Sequence, residues 1–163
     1  MFRISRLTDY GIVIMAHLAD CEDVTIHNAR ELAGQTRLPS PVVSKILKLL
    51  TRAGLLISQR GSKGGYNLAR PAAEISVVEM ITALEGPVGI TECTMHPGAC
   101  AQESSCHVRD PWQRINGAVQ AALEKITLAD LAKPMDSESP FVPLTGIDGG
   151  AAGHTKLATK ALE

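Results

Sequence analysis

The 163-residue sequence predicts a mainly α fold: a winged helix–turn–helix with a β-hairpin wing and a long C-terminal dimerisation helix. Three observations lead there. Apolar residues recur at helical spacing in successive stretches before Gly54. Two short strand-like segments then flank the polar, glycine-rich linker RGSKGG. Further on, Asp110-Pro111-Trp112 opens a helix whose apolar residues fall three and four apart.

Residues 7–20 form the first helix, with Ile12, Met15, Ala16 and Ala19 on one face. Residues 28–35 form a second, short helix that Asn28 caps, with Glu31 reaching back from three residues on. A turn carrying Thr36, Arg37 and Pro39 leads to a third helix near Ser40. Val43, Ile46, Leu47 and Leu50 are its apolar stripe, and Gly54 stops it in a left-handed cap. Residues 55–58 and 66–69 read as strands, and the linker between them suits a hairpin loop with positive φ angles. Residues 76–85 form a fourth helix, capped by Ser76 with Glu79 and stopped by Gly86 and Pro87.

The long helix has Asp110 as its expected N-cap and Pro111 at its first position. Trp112, Ile115, Val119, Ala122 and Ile126 make an a/d seam, suited to a dimer contact or to packing within the chain. Thr127 and Asp130 start a last short helix that Pro134 stops. Residues 135–163 have no period and many small or polar residues, the pattern of a disordered tail. The expected organisation is a DNA-binding unit over 1–87, a cysteine loop over 88–109, a dimerisation helix with its short capping helix over 110–134, and the tail.

The net charge of −1 hides an uneven distribution. From Arg30 to Arg70 there are eight basic residues and one acid, so this segment is +7 and the remainder −8. Such a block is an electrostatic footprint for a polyanion. Lys45, Lys48 and Arg52 lie away from the apolar stripe of the third helix and suit phosphate contacts. Ser40, Val42 and Ser44, at its start, are the residues that could approach base edges. Arg60 and Lys63 in the hairpin loop are placed to enter a minor groove or grip the backbone. Double-stranded DNA is the expected partner. Aromatics at 3% argue against a stacking platform for single strands.

Cys93, Cys100 and Cys106 crowd into one short segment that has no periodicity and few large apolar residues. Thiolates converging on one metal centre would order such a loop. The intervals of six and five residues lack the tight pairs of a zinc ribbon. Wide spacing suits an iron–sulfur cluster, whose fourth ligand would be His96, His107, Asp9 or a group from outside. A thiol redox switch and a zinc-stabilised site are the other readings. Cys21 reads as a packing residue, His17 as a helix-surface residue and His154 as part of the tail. The chain has no CxxC pair and no nucleotide motif, so it is not expected to be an enzyme. No apolar run is long enough to span a bilayer. The N-terminus lacks the marks of a signal peptide, so a cytoplasmic location is expected.

The stretches RLTDYGI, LTRAGLLISQRGSKGGYNLARP and the three-cysteine loop followed by TLADL together resemble the Rrf-two type of iron–sulfur-sensing winged-helix repressors. That group includes regulators of iron–sulfur assembly (IscR-like, and the SUF-system regulator) and NsrR-like nitric oxide sensors. The likeness runs from about Arg6 to Pro134. It implies that Cys93, Cys100 and Cys106 ligate a two-iron or four-iron cluster, and that Arg60 and the start of the third helix contact DNA. It also implies a homodimer joined along the long helix, and a repressor of iron–sulfur assembly genes. Assembly-type members place a histidine three residues after the last cysteine; that position is Arg109 here, and His107 directly follows Cys106. Nitric oxide-sensing members use an aspartate from the partner subunit's first helix, which Thr8-Asp9-Tyr10 matches. Asp9 of the partner subunit is the favoured fourth ligand, with His107 as the alternative.

Overall fold

The computed structural model describes residues 3–21, 26–61 and 64–133. Lys63, Pro134, His154 and the expected tail lie outside the described residues. Helices α1 (Arg6–Asp20), α2 (Ala29–Thr36) and α3 (Ser40–Arg52) come first. Strands β1 (Leu56–Gln59) and β2 (Gly65–Leu68) follow, then α4 (Val77–Glu85), the one-turn α5 (Glu92–Met95), α6 (Arg109–Glu124) and α7 (Leu128–Ala132). This is the winged helix–turn–helix that the pattern predicted, with boundaries shifted by a residue or so.

Local chemistry sets the ends of these elements. Asn28 accepts from the Arg30 and Glu31 amides, and Glu31 accepts from the Asn28 amide, closing the expected box at α2. Ser76 with Glu79 and Thr127 with Asp130 do the same at α4 and α7. At the end of α3 the Gly54 amide donates to the Thr51 carbonyl and the Leu55 amide to the Leu50 carbonyl, the paired bonds of a Schellman stop. Gly54 sits at φ +76, where a side chain would be strained.

The strands pair antiparallel, Leu56 with Leu68 and Gln59 with Gly65. A third segment joins them: the His27 and Tyr66 backbones exchange two hydrogen bonds, at 3.1 and 2.9 Å. The root of the wing is therefore tied to the segment before α2. Gly65 is required at that crossing, since a Cβ there would run into the His27 carbonyl.

One core serves all of this. Ile14 and Met15 of α1, Leu32 of α2, Val43, Ile46, Leu47 and Leu50 of α3, and Met80 of α4 have no exposed surface. Leu128 of α7 joins them, also fully buried. It is held there by a short backbone ladder in which Val77 donates to the Ile126 carbonyl and Leu128 to the Ile75 carbonyl, at 2.9 and 2.8 Å.

Two details of the long helix differ from expectation. Its N-cap is Val108 rather than Asp110, and Pro111 is its third residue. The Arg109 amide donates to the Cys106 carbonyl, so the backbone is already turning before Asp110, and the missing proline N–H falls in the first turn, where donors have no helical partner anyway. The helix also ends at Glu124, which leaves Ile126 in the ladder with Val77. The seam splits accordingly. Val119 and Ile126 pack on the core together with Leu123, which the seam did not include; Ala122 is half-buried without joining it, and Trp112 and Ile115 stay 37% and 46% exposed.

Candidate nucleic-acid interface and cysteine loop

The two faces of α3 have separate tasks. The Val43, Ile46, Leu47 and Leu50 stripe anchors the helix. Ser40, Lys45, Lys48 and Arg52 are exposed, and Val42 and Ser44 are half-buried at its start. The turn from α2 is made by Arg37, a left-handed residue at φ 56 whose amide donates back to Gly34. Arg60 stands exposed at the beginning of the wing loop. Among the described residues the ion pairs are Arg70–Glu79, Arg109–Glu103 and Lys133–Asp130. None of Lys45, Lys48, Arg52 or Arg60 takes part, so the positive field of this face is left uncompensated. His17, expected on a helix surface, lies half-exposed on α1 and also joins elements: its Nε2 lies 3.0 Å from Gln35 Oε1 of α2, and its ring meets that of His27 edge-on.

The cysteine loop runs from the end of α4 to α6, and α6 holds its entry. At its entry Asn116 of α6, buried, accepts from the Ile90 amide at 3.2 Å, while Gln120 donates to the Val88 carbonyl at 2.9 Å. Cys93 lies in α5, with its Sγ 3.2 Å from the Thr91 hydroxyl. Beyond it, Glu103 accepts from the Gly98 amide at 2.6 Å and pairs with Arg109 at 2.9 Å. Arg109, in the place of the ligand histidine of assembly-type regulators, is thus engaged with a carboxylate.

Cys21, Cys93, Cys100 and Cys106 are all half-buried and none forms a disulfide. Among the described residues, no group of three or more His, Cys, Asp or Glu side chains lies close enough to hold one metal ion. Asp9 is exposed in the first turn of α1, and His96 and His107 are exposed in the loop. The donors fit an iron–sulfur cluster in kind, as three free thiols in one loop, but gathering them requires the loop to draw in.

One contact ties the start of the DNA-binding unit to the approach to this loop. Glu85, the last residue of α4, accepts from the Ser5 amide at 2.8 Å and from the Thr8 hydroxyl at 2.5 Å. Thr8 is fully buried, beside Asp9. The bond from Thr8, then that from Ser5, holds the Glu85 carboxyl below its usual range against an opposing effect of burial. Sequence reasoning passed over Glu85, Thr8, Asn116, Gln120 and Glu103. Thr8 and Asn116 signal themselves only by being polar and buried, which a single sequence does not reveal.

A basic helix presented by a helix–turn and flanked by a hairpin wing defines a winged-helix DNA-binding regulator. The chain belongs to the Rrf2 family, described as an iron-dependent transcriptional regulator, whose sequence profile matches residues 4–134. It is 31% identical to the transcriptional regulator CymR of Bacillus subtilis over 136 residues, covering 83% of this chain and 94% of CymR. It is 28% identical to NsrR of Oceanobacillus iheyensis over 149 residues, 89% of this chain and 97% of NsrR. The structure of B. subtilis CymR, the global cysteine regulator, superposes with a TM-score of 0.63, covering 81% of this chain and 97% of CymR. That of T. potens IscR does so with a TM-score of 0.60 at 27% identity, covering 80% and 85%. The chain is accordingly a DNA-binding transcriptional regulator and not an enzyme. No described helix is long and apolar enough to cross a membrane.

Proposed function

We propose that the protein is a homodimeric repressor whose hold on operator DNA depends on an iron–sulfur cluster, with iron–sulfur assembly genes as targets. Cys93, Cys100 and Cys106 would hold the cluster, with Asp9 of the partner subunit as fourth ligand and His107 as the alternative. The observation that carries this reading is the set of three free, half-buried thiols in a loop whose entry α6 holds through Asn116 and Gln120. When bound, the cluster supplies an oxidant-sensitive cross-link between distant parts of the loop.

The chain's own residues account for the rest. Ser40, Val42 and Ser44 face base edges, while Lys45, Lys48, Arg52, Arg60 and Lys63 neutralise phosphates or enter the minor groove. Trp112 and Ile115 offer the apolar surface for a second copy. Order in the loop reaches α6 through Asn116 and Gln120, and reaches α1 along α4 and Glu85.

The test is anaerobic purification with iron, sulfide and zinc analysis, followed by gel shifts on promoter fragments with and without the cofactor. A brown, iron-containing dimer whose DNA affinity falls at least about tenfold on cluster loss is expected, a coupling of about 1.4 kcal/mol. Colourless, iron-poor protein after reconstitution, with DNA binding unaltered by serine at all three positions, would overturn it. Zinc without iron would indicate a structural metal site.

A thiol-based sensor is the second reading. Two observations favour it: among the described residues the thiols are not gathered with other donors into a group that could hold a metal ion, and CymR of Staphylococcus aureus, 31% identical to this chain, has been solved in an oxidized form. Iron-free protein whose DNA binding changes reversibly with oxidant and thiol reductant would establish it.

A further inference from the structure

Arg109 occupies the place of a ligand histidine, yet a guanidinium has only N–H donors and cannot bind iron. Its surroundings give it another task. Its Nη2 pairs with Glu103 Oε1 at 2.9 Å, and the other oxygen of Glu103 accepts from the Gly98 amide at 2.6 Å. The Glu103 side chain is 13% exposed and that of Arg109 41%, so the carboxylate is the sheltered half of the pair. Each acid–base partner is also tied by its backbone to a cysteine three residues earlier, Glu103 to the Cys100 carbonyl and Arg109 to the Cys106 carbonyl. Guanidinium, carboxylate and amide therefore close a ring around the 98–109 arc, with Cys100 and Cys106 inside it and Cys93 outside. Arg109 lines a hollow together with Cys100, and its Nε–H is buried with no acceptor among the described residues.

We propose that Arg109 is a positioning residue of the sensor loop: through Glu103 it clasps the arc from Gly98 to Arg109 and holds Cys100 and Cys106 in place for their shared task. The proposal deepens the sensing reading and rests on it for the purpose of the clasp, but the clasp belongs to the chain without metal.

The test uses the full chain, reduced and treated with chelator, then labelled with the uncharged reagent iodoacetamide and followed cysteine by cysteine by mass spectrometry. R109Q and E103Q should each raise the labelling rate of Cys100 and Cys106 by about fivefold, through local opening of the arc. Cys21 and Cys93 should be unaffected and serve as internal controls, as should the thermal midpoint. The double variant should go no further than either single one, because both remove the same contact. R109K, which keeps the ion pair with Glu103, should restore most of the protection. Equal labelling in every variant, additive effects, or a rise at all four cysteines would overturn the clasp. In anaerobically reconstituted protein R109Q should release iron to a chelator faster than the parent, and equal release would count against it. If no iron binds at all, the iron–sulfur reading falls while the labelling result still decides the clasp.

Discussion

The Glu85 carboxylate is where two distant parts of the chain are joined by single atoms. Thr8 and Glu85 lie 77 residues apart and bond directly. Thr8→Val removes a buried hydroxyl at nearly constant volume and should cost about 1–2 kcal/mol, read as a lowered urea midpoint. Because the Glu85 pKa is depressed in the fold, its contribution is present above the ordinary glutamate range and is lost as pH falls through the folded value. Glu85→Gln should therefore flatten the acid limb of the stability–pH curve between those two values, as followed by denaturation at stepped pH. An unchanged acid limb would show that the bond is too weak to matter. At this scale the sequence discloses polar partners only when they are near neighbours. Asn28 with Glu31, Ser76 with Glu79 and Thr127 with Asp130 were all legible, because a helix start fixes a three-residue interval. Thr8 with Glu85 and Arg109 with Glu103 were not, since no local rule selects one carboxylate over another.

Among the elements, α3 and its Schellman stop carry the clearest consequences. Gly54→Ala meets no neighbouring atom, so its cost is conformational alone, about 1 kcal/mol in the denaturation midpoint. Lys48→Ala, on the exposed face, should weaken binding to all sequences alike and reduce the salt slope of log K by about one unit. A sequence-selective loss would instead place Lys48 against a base. Helical periodicity made α1 and α3 legible, although the stripe α1 buries is Gly11, Ile14, Met15 and Leu18, with the expected Ile12, Ala16 and Ala19 only half-buried beside it; α4 was legible from its Ser76–Glu79 cap. The start of α6 was misjudged for a physical reason. Asp110-Pro111 is a strong local signal, but the turn after Cys106 already winds the backbone, and tertiary context prevailed. The seam of α6 was legible as apolar, but its division between a buried and an exposed half depends on where α7 returns.

Taken whole, the molecule sets a basic reading face against an otherwise acidic body, which favours electrostatically steered approach to DNA. In the proposed dimer, Ile115→Glu should give a monomer by sedimentation with unchanged helical content, and should abolish binding to a two-half-site operator. Dimeric behaviour would remove α6 from the interface. The wing and the basic face were legible in the sequence from glycine spacing and charge. The closing of the core was not, for residues beyond 87 are needed to finish it: Val88, Leu128 and, packed against the core, Val119, Leu123 and Ile126. Leu128 is fully buried on α7, which lies against α1, and the ladder from Ile75 to Leu128 locks it there. Anyone hoping to graft residues 1–87 onto a foreign sensory half would carry over a hole. Reading heads of this design can be exchanged between regulators only together with the short returning helix that seals them.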